Sequence, residues 1–287
     1  MVHEMQRQRT DWRRGAPFDV RCGDGATIRC RIDGVPGSPW VLFSNSHATN
    51  LSMWDEQVRA LEDRFSILRY DQRGHGGSAV TPDVTFDRLA EDVVDICDAV
   101  SIDRATLVGV SMGAVTVLRV AARFPQRVVR VVACDGQWKA PAGAREAWET
   151  RIAAARTAGM TPLAAATVAR WFPAQSLRDA ASRIAAVEAM IRATSVDGYA
   201  YCAMAMQAYD FSGDYPRFAL PVHFVVGACD GALPATMLDM HAATPGSTYD
   251  VIPEAGHLPP VDRPETINAL LARYLGSGEA ADGDTER

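Results

Sequence analysis

The chain has 287 residues, of which 48% are hydrophobic and 22% are charged, and its formal net charge is −6. This is the composition of a globular protein with one large core, and the negative charge argues against nucleic acid or an anionic membrane as the main partner. The first 17 residues lack the apolar centre of a secretory signal. No stretch approaches the roughly 18 apolar residues of a membrane span. We therefore expect a cytoplasmic protein.

The cysteines show neither the spacing of a disulfide framework nor that of a metal site. They are Cys22, Cys30, Cys97, Cys134, Cys202 and Cys229. In a large chain without a secretory signal, these residues are expected to be buried free thiols in a reducing compartment. The motifs CxxC, HxH and HExxH are absent from the sequence. We therefore expect no metal site.

Short apolar runs and helix-like segments alternate along the first half of the chain. FDVRC and TIRCRID flank GDGA, which is typical of a β-hairpin. Between the later runs, apolar residues recur at helical spacing, as Leu51, Trp54 and Val58 do. The predicted strands that follow the hairpin are WVLFSNS, FSILRYD, ATLVGV and RVVRVVACD.

The alternation stops after the strand that ends near Asp135 and resumes about 80 residues later. Residues 136–215 are rich in alanine and helical in pattern, and predict a helical cap. Residues 16–135 and 216–275 predict a mostly parallel sheet with helices on both faces. The cap would lie above the carboxyl ends of the strands, where open α/β sheets bind ligands. The polar residues 1–15 and 276–287 are expected to be flexible tails.

A serine stands between two glycines where a predicted strand meets a predicted helix. Residues 109–113 read Gly-Val-Ser-Met-Gly, the pattern GxSxG. The glycines avoid collisions across a sharp turn, and the serine hydroxyl projects above the sheet. The alternative is a glycine-rich packing turn. The strand–turn–helix context favours Ser111 as a nucleophile, and it places the free N–H of Met112 at the helix start, where it could stabilise an oxyanion.

A serine hydroxyl is a weak nucleophile until a base takes its proton. Of the six histidines, His257 lies in a loop between the last predicted strand and the last helix, at the edge of the sheet that Ser111 occupies. A solvated loop histidine is the alternative. We expect His223 to be packed within a strand, His241 to be exposed, and His75 to order its own loop by hydrogen bonding.

The imidazole needs an acid that fixes its tautomer. Asp135 and Asp230 both end predicted strands after the serine, and the chain order Ser, Asp, His holds for either. Asp135 has the alternative role of a turn or helix cap. The residues alone leave this choice open. A second oxyanion donor is expected from the loop after the third strand, at the backbone N–H of His47.

Several segments together resemble the 3-oxoadipate enol-lactonases, a branch of the α/β-hydrolase superfamily. They are SNSHATNLSMWDEQV, LRYDQRGHGGS, LVGVSMGAV, WETRIAAARTAGM, ARWF and AGHLPPVDRPE. The resemblance runs from about Phe18 to Leu275. It implies an α/β-hydrolase fold with an eight-stranded sheet, a helical cap inserted after strand 6, and no cofactor.

The resemblance also implies roles for individual residues. It makes Ser111 the nucleophile and His257 the base, and it favours Asp230 over Asp135 as the acid. The expected substrate is a small lactone or carboxylic ester that is cleaved through an acyl-enzyme. The protein is expected to be a monomer or a homodimer.

The sequence departs from the family pattern at three places around the expected active site. His47-Ala48 stands where the family usually has Leu-Gly, and Ala114 where it usually has a second glycine. Residues 135–139 read Asp-Gly-Gln-Trp-Lys, where the family usually begins Asn-Thr-Ala-Ala. These changes leave the expected catalytic residues in place but alter what would touch the substrate.

An enol-lactone that carries a carboxylate calls for a cation in the pocket. The candidates are Lys139, Arg145 and Arg151, although solvated helix charges are the alternative. The aromatic residues Trp138, Trp148, Trp171 and Phe172 could line the pocket or pack the core of the cap. Packing is the favoured role for Trp148 and Trp171.

Other functions stay open at this point. Within enzymes they are a general carboxylesterase, a C–C hydrolase and a cofactor-free perhydrolase. A dehalogenase is disfavoured because it would need aspartate in place of Ser111. Outside enzymes, the alternative is a non-catalytic small-molecule-binding protein, which would commonly have lost one of the three expected catalytic residues.

Overall fold

The computed structural model describes residues 14–276, so the predicted tails lie outside it except for residues 14, 15 and 276. Eight strands form one sheet in the order β1-β2-β4-β3-β5-β6-β7-β8. The strands are β1 (Pro17–Arg21), β2 (Thr27–Gly34), β3 (Trp40–Ser44), β4 (Ser66–Tyr70), β5 (Ala105–Val110), β6 (Val128–Cys134), β7 (Val222–Gly227) and β8 (Thr248–Ile252). Strand β2 pairs antiparallel with β1 and β4, and all the other pairs are parallel. The predicted eight-stranded, mostly parallel sheet is confirmed.

Eleven α-helices accompany the sheet within residues 14–276. They are α1 (Asp55–Leu61), α2 (Phe86–Ala99), α3 (Met112–Arg123), α4 (Ala144–Ala158), α5 (Met160–Trp171), α6 (Ala174–Asp179), α7 (Ala181–Ala193), α8 (Val196–Ala205), α9 (Leu233–Ala243), α10 (Pro259–Asp262) and α11 (Pro264–Leu275). Helix α3 ends two residues before Pro125, which cannot continue a helix. No helix in the described range has the length and apolar character needed to cross a bilayer.

Helices cover both faces of the sheet, as predicted. Side chains alternate along each strand, so neighbouring residues of β3 enter different apolar clusters. Leu42 packs in the cluster that contains Val117 of α3, whereas Phe43 packs in the cluster that contains Leu271 of α11. Burial of each such side chain contributes roughly 1.5–3 kcal/mol to stability.

The helices α4 to α8 follow β6 and precede β7, which confirms a helical cap inserted after strand 6. The cap shares an apolar cluster with the core, because Ile152 of α4 and Ile184 of α7 join the cluster that contains Phe43. All five helices lie inside residues 136–215. The domain boundaries at these two positions stay a prediction.

The register of the parallel strands brings three chain turns to one edge of the sheet. Val110 at the end of β5 is aligned with Cys134 of β6, and Cys134 is aligned with Val225 of β7. The residues that follow these strands therefore lie side by side beneath the cap.

The expectation for the cysteines is partly wrong. Five of the thiols are buried, but Cys229 is exposed. Cys229 lies in the turn after β7. The residues of β7 are buried between the two layers of helices, whereas this turn is not. The histidine expectations hold for His223, which is buried in β7, whereas His241 is half-buried rather than exposed.

Candidate active site

Ser111 forms a strained turn between β5 and α3. Its φ and ψ are 56° and −118°, a conformation that a residue with a side chain rarely adopts. The backbone is held there because Ser111 N–H donates to the Cys134 carbonyl at 2.9 Å. The helix can start this close to the sheet because Gly113 has no side chain, since a Cβ there would lie 2.1 Å from the Ser44 carbonyl oxygen. The serine hydroxyl is thereby directed toward the cap.

The structure brings Ser111, His257 and Asp230 into one hydrogen-bonded chain. Ser111 Oγ lies 2.8 Å from His257 Nε2, and His257 Nδ1 lies 2.7 Å from Asp230 Oδ2. A carboxylate only accepts hydrogen bonds, so Nδ1 carries the ring proton in the neutral state. Nε2 is then the acceptor that faces the serine hydroxyl, as a general base requires.

The cap holds His257 in position. The backbone N–H of His257 donates to the carbonyl of Trp171 at 2.8 Å, and the two rings lie 5.3 Å apart. Trp171 is the last residue of α5. The loop that carries the histidine is therefore attached to the helical insert as well as to the sheet.

Of the two candidate acids, Asp230 contacts the histidine. Asp135 is only 1% exposed, and its Oδ1 accepts a hydrogen bond from the backbone N–H of Gly227 at 2.8 Å. No hydrogen bond joins Asp135 to His257 in the described part of the chain. Burial and the neighbouring Asp230 raise the pKa of Asp135 well above its ordinary value.

Two backbone N–H groups beside Ser111 have no acceptor within residues 14–276. They belong to Met112, the first residue of α3, and to His47, in the loop after β3. Both residues line the cavity that contains Ser111. These are the two N–H groups that the sequence predicts as the oxyanion hole.

The loop that carries His47 is fixed by two imidazoles. His47 Nε2–H donates to the Tyr199 carbonyl of the cap at 3.0 Å, and its ring packs on the Tyr199 ring. The next N–H, that of Ala48, donates to Nε2 of His75 at 2.8 Å. His75 Nδ1–H in turn donates to the Arg73 carbonyl at 3.0 Å, so His75 forms the predicted hydrogen bond within its own loop and also holds the loop of His47.

Burial keeps both imidazoles neutral at physiological pH. It lowers the pKa of His75 to about 4 and that of His47 well below its ordinary value. Ala48 itself has φ of 60°, in the left-handed region that favours glycine. The family's usual glycine at this position is thereby explained, and the alanine here carries backbone strain.

A cavity of about 220 Å³ opens between the sheet edge and the cap. Besides the three hydrogen-bonded residues, it is lined by two arginines, Arg151 of α4 and Arg170 of α5. Neither forms a salt bridge with a carboxylate among residues 14–276. The Arg151 guanidinium lies over the Trp148 ring, 4.7 Å from its centroid. The cavity that contains Ser111 therefore also contains two cations.

The structure separates the predicted pocket residues into two groups. Arg151 and Trp171 line the cavity. Trp138 and Lys139 do not, and this corrects the sequence-based expectation. After Gln137, which still lines the cavity, the chain turns away from it. Trp138 therefore packs against the Tyr215 ring at 5.5 Å, and Lys139 is exposed and forms a β-bridge with Asp210.

The candidate Arg145 also lies away from the cavity, on an exposed part of α4. Sequence reasoning missed Arg170. Its position directly before Trp171 was the available signal, because a tryptophan at the end of a cap helix was itself a candidate for the pocket wall. Tyr199 was missed as well, since no pattern marks it.

Comparison with known proteins identifies the family. A family model described as alpha/beta hydrolase fold matches residues 39–264. The protein 3-oxoadipate enol-lactonase 2 of Acinetobacter baylyi is 33% identical over 84% of this chain and 91% of its own length. A putative carbamate hydrolase, RutD, of a Caulobacter species is 29% identical over 87% of this chain and 96% of its own length.

Solved structures agree with these sequence relatives. The enol-lactonase of Burkholderia xenovorans LB400 superposes with a TM-score of 0.86 at 33% identity, covering 90% of this chain and 99% of that one. A thermophilic esterase from Thermogutta terrifontis superposes with a TM-score of 0.84 at 26% identity, covering 91% and 98%. The fold, the length of the match and the level of identity confirm the predicted resemblance, and the chain therefore belongs to the α/β-hydrolase family.

Proposed function

We propose that this hydrolase cleaves a small lactone or carboxylic ester that bears a carboxylate, through an acyl-enzyme on Ser111. One observation carries the proposal. The hydrogen-bonded chain from Ser111 through His257 to Asp230 opens into a cavity that also contains the unpaired cations Arg151 and Arg170. The two relatives named 3-oxoadipate enol-lactonase, at 33% and 28% identity, support the same class of substrate.

In the first step, Ser111 Oγ bonds to the substrate carbonyl carbon while His257 Nε2 takes the hydroxyl proton. The carbonyl oxygen becomes an oxyanion and receives the N–H groups of Met112 and His47. A donor in this role typically contributes on the order of 3 kcal/mol to the transition state. Asp230 fixes the tautomer of the imidazole and stabilises its cation.

In the second step, the tetrahedral intermediate collapses. The bond between the carbonyl carbon and the leaving oxygen breaks, and His257 donates its Nε2 proton to that oxygen. In a lactone the leaving oxygen stays tethered to the acyl group, so ring opening leaves one product attached to Ser111. His257 then takes a proton from water, the hydroxide attacks the acyl carbon, and Ser111 leaves with the proton.

The arginines supply a binding site for the carboxylate of the substrate. Although part of the Arg170 side chain is exposed, desolvation and the nearby charge of Arg151 lower the pKa of its guanidinium. An anion between the two groups relieves this repulsion and forms charge-assisted hydrogen bonds. Arg151 is held in place for this contact by the Trp148 ring.

The nucleophile is tested by Ser111→Ala with an activated aryl ester as substrate. Turnover is expected to fall to a small residual rate, and a fluorophosphonate probe should no longer label the protein. Ser52→Ala, an exposed serine outside the cavity, is the matched control and keeps both turnover and labelling. Full labelling or turnover in Ser111→Ala would refute the acyl-enzyme.

The substrate class is tested with a panel of lactones and esters, each with and without a carboxylate, and an aryl carbamate. Removing a charged partner costs roughly 1.5–3 kcal/mol. Arg151→Met and Arg170→Met should therefore lower kcat/KM about tenfold or more for the carboxylate-bearing members only. Arg145→Met, on the same helix as Arg151 but away from the cavity, is the control. Equal losses on charged and neutral substrates would contradict a carboxylate site.

A further inference from the structure

A second carboxyl group lies directly beside the proposed catalytic acid. Asp135 follows β6 and has φ of 47°, in the left-handed region that most residues with a side chain avoid but that aspartate tolerates. Its N–H donates to the Val225 carbonyl at 2.9 Å, and its Oδ1 accepts from the N–H of Gly227 at 2.8 Å. These two bonds hold the carboxyl group against the end of β7, next to the turn that carries Asp230.

The other oxygen of this carboxyl group, Oδ2, is buried and receives no hydrogen bond from any residue between 14 and 276. Gly227 links the two acidic residues, because its N–H donates to Asp135 Oδ1 at 2.8 Å and its carbonyl accepts the Asp230 N–H at 3.1 Å. Two ionised carboxylates in this position would repel each other and leave Oδ2 unpaired, at considerable cost in a buried site. A proton on Oδ2 turns that atom into a donor and removes both problems.

The surrounding groups favour this protonated form. The charged side chains that act on Asp135 are themselves acidic, namely Asp230 in the turn after β7 and Asp262 on α10. The other titratable neighbours are the Cys134 thiol and the Tyr249 phenol, whose own pKa values are raised, so both are neutral at physiological pH. No arginine or lysine of the described chain forms a salt bridge with Asp135.

We propose that Asp135 is a protonated positioning residue whose Oδ2–H donates to the Asp230 carboxylate and holds it toward His257. The proposal rests on the proposed function, in which Asp230 is the acid of the catalytic set. Asp230 Oδ2 receives the His257 Nδ1–H, and the Asp135 hydroxyl supplies a second donor to the same carboxylate. The pair carries a single negative charge, and no proton of Asp135 is transferred during turnover.

Infrared spectroscopy tests the protonation state without any need for turnover. The difference spectrum between the wild-type protein and Asp135→Asn at neutral pH should show the loss of a C=O stretching band from a protonated carboxylic acid. Asp262→Asn, which removes a neighbouring buried carboxyl group, should leave that band in place. If the difference spectrum shows only a lost carboxylate band, Asp135 is ionised and the proposal is wrong.

The pH dependence of kcat/KM tests the positioning role. Asp135→Ala removes the donor to a charged acceptor, and kcat should fall about tenfold. Asp135→Asn can donate from its amide and still accept from Gly227, so it should recover most of that loss. The acidic limb of the profile should stay at the wild-type pH in Asp135→Asn because the charge of the site is unchanged.

Two results would overturn the positioning role. One is a shift of the acidic limb to lower pH in Asp135→Asn, which would mean that an anion had been removed. The other is an Asp135→Asn variant as impaired as Asp135→Ala. A full rate in Ser111→Ala would refute the proposed function instead, and it would leave the infrared result on Asp135 standing.

Discussion

Replacing Asp135 with asparagine should change how the stability of the protein depends on pH. The substitution keeps the size of the side chain and its acceptor for the Gly227 N–H, but it removes a titratable proton. Burial and Asp230 raise the pKa of Asp135 in the folded protein, whereas in the unfolded chain it titrates near 3.9. At any pH between these two values, folding takes up one proton.

The sign and size of the effect follow from proton linkage. At Asp135 the folded state binds one proton more than the unfolded state, so the Asp135 contribution to the free energy of unfolding falls as pH rises, by about 1.4 kcal/mol per pH unit. The Asp135 contribution is most favourable below the unfolded pKa and is lost progressively up to the folded pKa. Asp71, Asp92 and Asp262 also have raised pKa values, but they are present in both proteins and cancel in the difference.

The assay is urea unfolding of the wild-type protein and Asp135→Asn at a series of pH values from acidic to weakly basic. The stability of the wild type minus that of the variant should decrease by about 1.4 kcal/mol per pH unit above roughly pH 4.5. It should level off at the folded pKa, which the experiment thereby measures. A difference that is flat across this range would show that Asp135 is an anion in the folded protein, which contradicts a protonated Asp135.

Three further predictions concern residues around the site. His75 is neutral in the folded protein, with its pKa lowered to about 4, so its contribution to the free energy of unfolding should fall as pH drops from about 6.5 to 4. In urea titrations over this range, the stability of the wild type minus that of His75→Asn should therefore decrease by about 1.4 kcal/mol per pH unit as pH drops. Ala48→Gly should raise the free energy of unfolding by up to about 1 kcal/mol, because it relieves the left-handed backbone at φ of 60°; an unchanged or lower melting temperature would contradict this. Gly136→Ala should lower the free energy of unfolding by about 1–3 kcal/mol, because the new Cβ would lie 2.8 Å from the Cβ of Ala114. In a double-mutant cycle, adding Ala114→Gly to this variant should restore the stability.

The last of these predictions explains two of the departures from the family pattern together. The family usually has glycine where this chain has Ala114, and threonine where it has Gly136. A Cβ on Gly136, in the turn after β6, would lie 2.8 Å from the Cβ of Ala114 on α3, so side chains at both positions would require the backbone to shift. We therefore interpret the two differences as one linked change, in which a side chain is lost at residue 136 and a methyl group is gained at residue 114.

Local patterns were sufficient to predict the fold and much of the site. Strand and helix periodicity identified the sheet and the cap, and the glycines around Ser111 identified the turn. The loop position of His257 followed from the order of the elements. These features depend on residues close together in the chain, and so they are visible in its sequence.

The features that sequence reasoning missed depend on contacts between distant segments. Asp135 and Asp230 both end parallel strands, and the residues alone did not distinguish them, because only the three-dimensional path of the two turns decides which carboxyl group meets His257. Lys139 was misplaced because the chain turns outward after Gln137, and Arg170 was missed because the orientation of α5 over the sheet has no local signature.

The hydrogen bond from His257 N–H to the Trp171 carbonyl has a consequence for engineering this enzyme. The helical insert both shapes the cavity through Arg151 and Arg170 and supports the backbone of the proposed base. A chimera that takes its insert from a relative must therefore supply a carbonyl at the same place, or it will change substrate choice and rate at once. Exchange of the helical insert is therefore expected to change substrate selectivity and catalytic rate together.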